Sequence, residues 1–145
     1  MMSSRLLMLL LVLWGSTAGL LGQSIEKTFI RSFNLQGASD VTLQLQGPVE
    51  VQTWSEDILR VQMTVQLHHG SEAMLRSLAQ AGRYNLHGYL EQGRFLIEAP
   101  GLAREVLING QPLTEQIAFT VFAPENVQIT VEDGTSAAAF LPNNL

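Results

Sequence analysis

Cysteine is absent from all 145 residues. That excludes disulfides, a thiol nucleophile, a cysteine-ligated zinc and an iron–sulfur cluster. It also excludes the bacterial lipoprotein anchor, which is attached to a cysteine directly after the leader. Charge is sparse: Asp, Glu, Lys and Arg together make up 14% of the chain. The eight basic residues are scattered singly among thirteen acidic ones. No basic patch exists to displace phosphate counterions or to hold an anionic bilayer, so nucleic acid is excluded as a partner. No Gly-rich phosphate loop is present. Glycines 37, 47, 88, 93, 101 and 110 fall at strand ends or turns, where backbone freedom explains them. Exact internal repeats, the usual mark of a solenoid, are also missing.

Long apolar runs are confined to the start. Met1–Arg5 is a short segment with one positive charge, Leu6–Trp14 is unbroken apolar sequence, and Gly15–Gly19 supplies small residues. A spanning helix needs about 20 mostly apolar residues. The run is marginal for that, and it has the length and flanks of a secretory signal peptide. Residues 1–22 are therefore expected to be a cleaved leader. Ser16 and Ala18 satisfy the small-x-small rule, and a cut after Gly22 is the alternative. Export follows, to a periplasmic, cell-surface or secreted destination, with no stable membrane anchor after cleavage. The remainder carries seven Lys and Arg against thirteen carboxylates, a net of −6. A chain of that length can bury about two-thirds of its unfolded surface and needs no staple to fold.

What is present is alternation. From 23 to 134 the chain reads as one β domain, followed by a flexible C-terminal tail at 135–145. Phe29, Phe33 and Leu35 share one parity with Arg31, the odd member that marks an edge strand. Val41, Leu43 and Leu45 alternate with Thr42, Gln44 and Gln46, and Val61, Met63, Val65 and Leu67 alternate with Gln62, Thr64 and Gln66. Between them lie the Gly47-Pro48 turn, Val49 to Trp54, and a polar turn at Ser55-Glu56-Asp57. The period changes after Gly70. Ser71 sits at an N-cap position, Met74, Leu75, Leu78 and Ala81 form one stripe, and Gly82 stands where a C′ glycine belongs, so a helix is expected over about 71–82. Strands resume with Tyr84 to Leu90, Phe95 to Ile97, Val106 to Ile108 before the hairpin signal Asn109-Gly110, Ile117 to Val121, and Val127 to Val131. Pro112 places the return strand at an edge. The expected fold is all-β: a solenoid-like or sandwich stack of about nine short strands with one short helix.

Candidate chemistry is thin. His68 and His69 are adjacent, so a strand would point them to opposite faces; a metal site would need His87 or Glu72 brought near. Glu56-Asp57 and Glu132-Asp133 are paired carboxylates at turns, poorly placed for acid–base work across a cleft. Ser71, Ser77 and Ser136 lie in no nucleophile elbow. No catalytic residue, metal ligand or cofactor is expected, and the chain is read as a non-enzyme. Trp54 and Tyr89 fall on outward parities and, with His87, form the possible interaction surface.

The stretch FNLQGASDVTLQLQGPVEVQTWSEDILRVQMTVQL, with AGRYNLHGYLEQGRFLIEAP after it, resembles the adhesin-head families of exported Gram-negative proteins. These are the head GIN domain of autotransporter adhesin-like proteins and its relatives of unknown function. The shared layout is an opening aromatic–apolar strand, a G-x-S-x-V strand at Gly37–Val41, V-E-V with a tryptophan at Val49–Trp54, L-R-V at Leu59–Val61 and F-L-I-E-A-P at Phe95–Pro100. The resemblance spans Phe33 to Val131. It implies an exported stack of short strands with a surface or adhesion role, and no catalytic residues. The chain departs from the family in lacking long Gly/Ser-rich strand repeats and in carrying the 71–82 helix. Three functions are consistent with these readings: a surface-interaction domain, a carbohydrate-binding or carbohydrate-active envelope protein using Trp54 and Tyr89, or a structural partner that adds an edge strand to an envelope complex. The partner is an unknown envelope protein or a glycan.

Overall fold

The computed structural model describes residues 24–132. The expected leader at 1–22 and tail at 135–145, with Asp133, lie outside the described residues. In chain order the elements are β1 (Ile25–Phe33), β2 (Asp40–Gln44), β3 (Val49–Trp54), β4 (Leu59–Leu67), α1 (Glu72–Gln80), β5 (His87–Glu91), β6 (Arg94–Glu98), a 3-10 turn (Pro100–Ala103), β7 (Leu107–Ile108), β8 (Gln111–Pro112), β9 (Glu115–Pro124) and β10 (Gln128–Val131). The fold is all-β with one short helix, as expected, and the described residues form ten strands, in keeping with the expected nine or so.

Two four-stranded sheets form, ordered β1-β4-β9-β3 and β10-β2-β6-β5, and β7-β8 is a separate hairpin. In the first sheet β4 runs antiparallel to both β1 and β9, while β3 is parallel to β9. In the second sheet β2 is parallel to both β10 and β6, and β5–β6 is an antiparallel hairpin. Buried residues of both sheets belong to one cluster, so the layers form a sandwich. Its parallel pairs join strands far apart in sequence.

The alternation explains the layers. Leu59, Val61, Met63, Val65 and Leu67 of β4 are all fully buried, and Phe119 and Val121 of β9 lie beside them. Val41 and Leu43 of β2 with Phe95 and Ile97 of β6 supply the opposite layer. Burying each such side chain stabilises the fold by roughly 1.5–3 kcal/mol. Phe33 and Phe95 meet edge-on, with ring centroids 6.1 Å apart. A Cβ on Gly88 would stand 2.6 Å from the Phe33 ring and 2.8 Å from that of Phe95, so this contact requires glycine in β5. At the free side of β1, Lys27 and Arg31 occupy inward parity, each 5.5 Å from a ring centroid, Phe29 and Phe33 respectively. Inward charges of this kind discourage edge-to-edge pairing, which agrees with the edge position read from Arg31.

The helix carries the chain from β4 in one sheet to β5 in the other. The Ser71 hydroxyl accepts from the Met74 amide at 3.1 Å. Gly82 adopts φ +85, and the Gly82 and Arg83 amides donate to Ala79 and Leu78 carbonyls, closing the helix in a Schellman motif. The strand expected from Tyr84 starts only at His87, because Arg83 and Tyr84 are held elsewhere. The Arg83 guanidinium pairs with the Glu115 carboxylate at the start of β9, and both side chains are about nine-tenths buried. It also donates to the backbone carbonyls of Gly101 at 3.2 Å and Arg104 at 2.8 Å. The Tyr84 hydroxyl donates to the other Glu115 oxygen at 2.9 Å, and its ring stacks on Phe29 at 5.1 Å. Burial, then the hydrogen bond and charge of Glu115, push the Tyr84 phenol well above its ordinary range; Arg83 pulls it partly back.

This network ties the helix exit, the 3-10 turn and β9 together. Replacing Glu115 with alanine leaves the Arg83 guanidinium buried without its carboxylate. Glu115→Ala is expected to lower the unfolding free energy by about 3–5 kcal/mol. The exposed control Glu26→Gln should change it by no more than about 0.5 kcal/mol. Urea titration of the purified variants checks both values.

Candidate functional site

Outward positions of the second sheet fall into three rows. Gln128 pairs with Asp40 and Arg94 with Glu91, and the register continues across them. The middle row is Thr130, Thr42, Leu96 and Tyr89. In the third, Gln44 pairs with Glu98 and Glu98 with His87, while Glu132 follows β10 and accepts from the Gln44 amide at 3.3 Å. Strands lie about 4.8 Å apart and same-face rows about 6.6 Å apart, so the twelve positions cover a patch about 14 Å by 13 Å.

The middle row departs from an ordinary solvated face. Thr42, expected outside as a polar residue, is 2% exposed, and Leu96 beside it is 8% exposed. Among the described residues the Thr42 hydroxyl oxygen has no hydrogen-bond partner. Tyr89 ends the row at 40% exposure. A depression of about 250 Å³ lies here, lined by Thr42, Leu96, Gln44, Glu91, Arg94 and Glu132 among others. Asp40, Glu91, Glu98 and Glu132 place four carboxylates on the patch against one guanidinium, Arg94. Partial desolvation, then the charges of Glu98 and Glu91, push the Tyr89 phenol upward from its ordinary value.

Two of the three expected surface residues, Tyr89 and His87, share β5 and this face. Trp54 lies in the other sheet, on β3, and is committed there. Its indole N–H donates to the Ile58 carbonyl at 2.9 Å, its ring packs on Phe122 at 5.4 Å, and the Arg60 guanidinium lies 4.9 Å from the ring centroid. It closes the β3–β4 turn, and the aromatic pair expected for sugar binding does not converge. Thr42 and Leu96 were not anticipated. The signal for Leu96 was the unbroken Phe95-Leu96-Ile97 run, since consecutive apolar residues mark a strand covered on both faces; Thr42 follows as its neighbour in register.

Other candidates resolve simply. Ser71 caps the helix, and Ser77 donates to the Ala73 carbonyl at 2.9 Å; Ser136 lies outside the described residues. His68 and His69 sit in the turn after β4, with His69 at φ 60. Among the described residues no three His, Asp or Glu side chains are grouped to hold a metal ion. A larger depression of about 390 Å³ opens beside the helix exit, but its Arg83 is already bound to Glu115 and two carbonyls.

No family model matches the chain, and no curated protein matches it. One similar solved structure is that of a "putative cell adhesion protein" from Clostridium sporogenes, 13% identical with a TM-score of 0.40. The match covers 74% of this chain and 46% of that one, so the chain spans less than half of that structure's length. A likeness of that size decides neither family nor activity.

A buried hydroxyl without a partner costs about 1–3 kcal/mol. Thr42→Val keeps the shape and removes the oxygen, so it is expected to raise the unfolding free energy by about 1 kcal/mol, read from the midpoint of urea unfolding.

Proposed function

We propose that this chain is a non-enzymatic, exported β domain that presents the outer face of its second sheet to a partner in the cell envelope or on a neighbouring surface. One observation carries the reading: the buried and unpartnered Thr42 hydroxyl beside outward-facing Leu96 and exposed Tyr89. A face that meets only water gains nothing from an orphaned hydroxyl, which lowers stability. A bound molecule supplies the missing hydrogen bond and covers the apolar centre. Exposed side chains change rotamer within nanoseconds, so Gln44 and Arg94 can swing aside to admit it. Interfaces are typically built this way, with a desolvated centre ringed by polar groups. An adhesion-related role, as the head GIN resemblance implies, fits such a face.

Strand addition is the second reading, and one observation favours it. All five residues of β5 are exposed, including Leu90 at 43%, and one edge of β5 is unpaired in the described sheet. An added strand would extend this same face.

Tyr89→Ser is expected to weaken binding by roughly tenfold or more on whichever arrayed glycan or envelope protein retains the wild type, as loss of an aromatic anchor does. Trp54→Phe, altered in the other sheet, should bind as the wild type does while losing about 1 kcal/mol of stability with its indole hydrogen bond. Undiminished binding by Tyr89→Ser, or turnover of glycans or esters by the wild type, overturns the proposal.

A further inference from the structure

Resting on that reading of the face, we infer that its partner is a short, extended polypeptide segment bearing Lys or Arg side chains, laid across the Thr130–Thr42–Leu96–Tyr89 row.

Charge decides the class. The two outer rows carry Asp40 and Glu91 on one side and Glu98 and Glu132 on the other, with Arg94 the single formal cation. Both rows stand about 6.6 Å from the central one. A chain lying along that central row therefore has carboxylates on each flank, within reach of long basic side chains. Like charges brought together across an interface cost several kcal/mol, which disfavours a second copy of this face and any anionic surface.

Size decides the form. Stable interfaces between folded proteins take about 800 Å² and 20–30 residues from each partner. This patch has twelve outward positions and spans about 14 Å along its central row, the length of about four extended residues. It suits a linear segment better than a folded surface. The centre adds chemistry of its own. Thr42 has a buried oxygen that lacks a partner among the described residues, and Tyr89, 40% exposed, offers apolar surface for the stems of basic side chains.

The probe is a synthetic peptide of about nine residues, long enough to overhang the patch, alternating Lys with Ser around a central Leu. It is titrated into the purified, ¹⁵N-labelled protein, with glutamate-for-lysine and glutamine-for-lysine versions as controls. Shift changes are expected at the amides of residues 40–44, 87–91, 94–98 and 128–132, with the lysine peptide only. Affinity should fall roughly tenfold in Glu91→Gln/Glu98→Gln, and again when salt rises from about 0.02 M to about 0.5 M. Both substitutions are at exposed or half-exposed positions, and urea unfolding verifies that the variant is folded. Equal binding of the glutamate or glutamine peptide to these amides overturns the cationic class and leaves the interaction face standing. Shifts at the first sheet, or none with any peptide, overturn the inference as well. The face itself is judged independently by Tyr89→Ser on the array.

Discussion

The strict alternation of β4 is the constraint on which the rest of the fold depends. Nine residues place five side chains in the core with no exposure. A slip of one residue would turn all five to water and bring Arg60, Gln62, Thr64 and Gln66 inside. Pairing on both sides holds the register: β1 matches β4 over nine positions and β9 over eight. With β4 fixed, β9 has only one place to lie, and β3 is carried in parallel along β9's other side. β4 also ends in the turn that starts α1, so the helix crosses to the second sheet from a fixed point.

The Arg83–Glu115–Tyr84 network performs the corresponding task for the second half of the chain. Its members are 31 and 32 residues apart and come from a helix exit and a strand start. A buried ion pair by itself is weak evidence for stability, because desolvation offsets its attraction. Here the guanidinium has two backbone carbonyls besides the carboxylate, and the carboxylate has a phenol besides the guanidinium. Each charged group is well supplied with hydrogen bonds, which is the condition for tolerating burial. The network fixes the chain at Arg83 and Tyr84, shortly before β5 begins at His87.

Local pattern was enough for the strands and the helix. Alternation over 59–67 and 117–121, the Ser71 cap with Gly82, and the Asn109-Gly110 turn all act within a few residues, and each is found where its pattern placed it. The failures share one cause. Tyr84 and Leu86 have strand parity, yet residues 81–84 form a turn in which a tertiary network holds Arg83 and Tyr84, and the strand begins only at His87. Thr42 has the polar parity of an outward residue, but burial depends on what lies beside a strand, and its neighbours β10 and β6 are distant in sequence. Trp54 has an outward parity and is nonetheless occupied, because its indole reaches a carbonyl four residues on. Parity states which side of a strand a residue takes; it says nothing of what covers that side. Sandwich and solenoid were indistinguishable for the same reason, since both use short alternating strands and differ only in which of them pair.

The two outer faces then differ in a way that composition hides. On the first sheet Gln and Thr predominate, and polar side chains there satisfy one another: Thr28 with Thr64 at 3.3 Å, Gln52 with Glu50 at 2.9 Å, Arg60 with Ser32 at 3.4 Å. Ile30, 61% exposed, lies on that face as well, paired in register with Gln62. On the second sheet the central Thr42 and Leu96 are buried, the Thr42 hydroxyl has no partner among the described residues, and carboxylates frame the row. An unsatisfied hydroxyl costs about 1–3 kcal/mol, while the five buried side chains of β4 contribute several times that. The core contacts of β4 therefore outweigh the cost of that one hydroxyl.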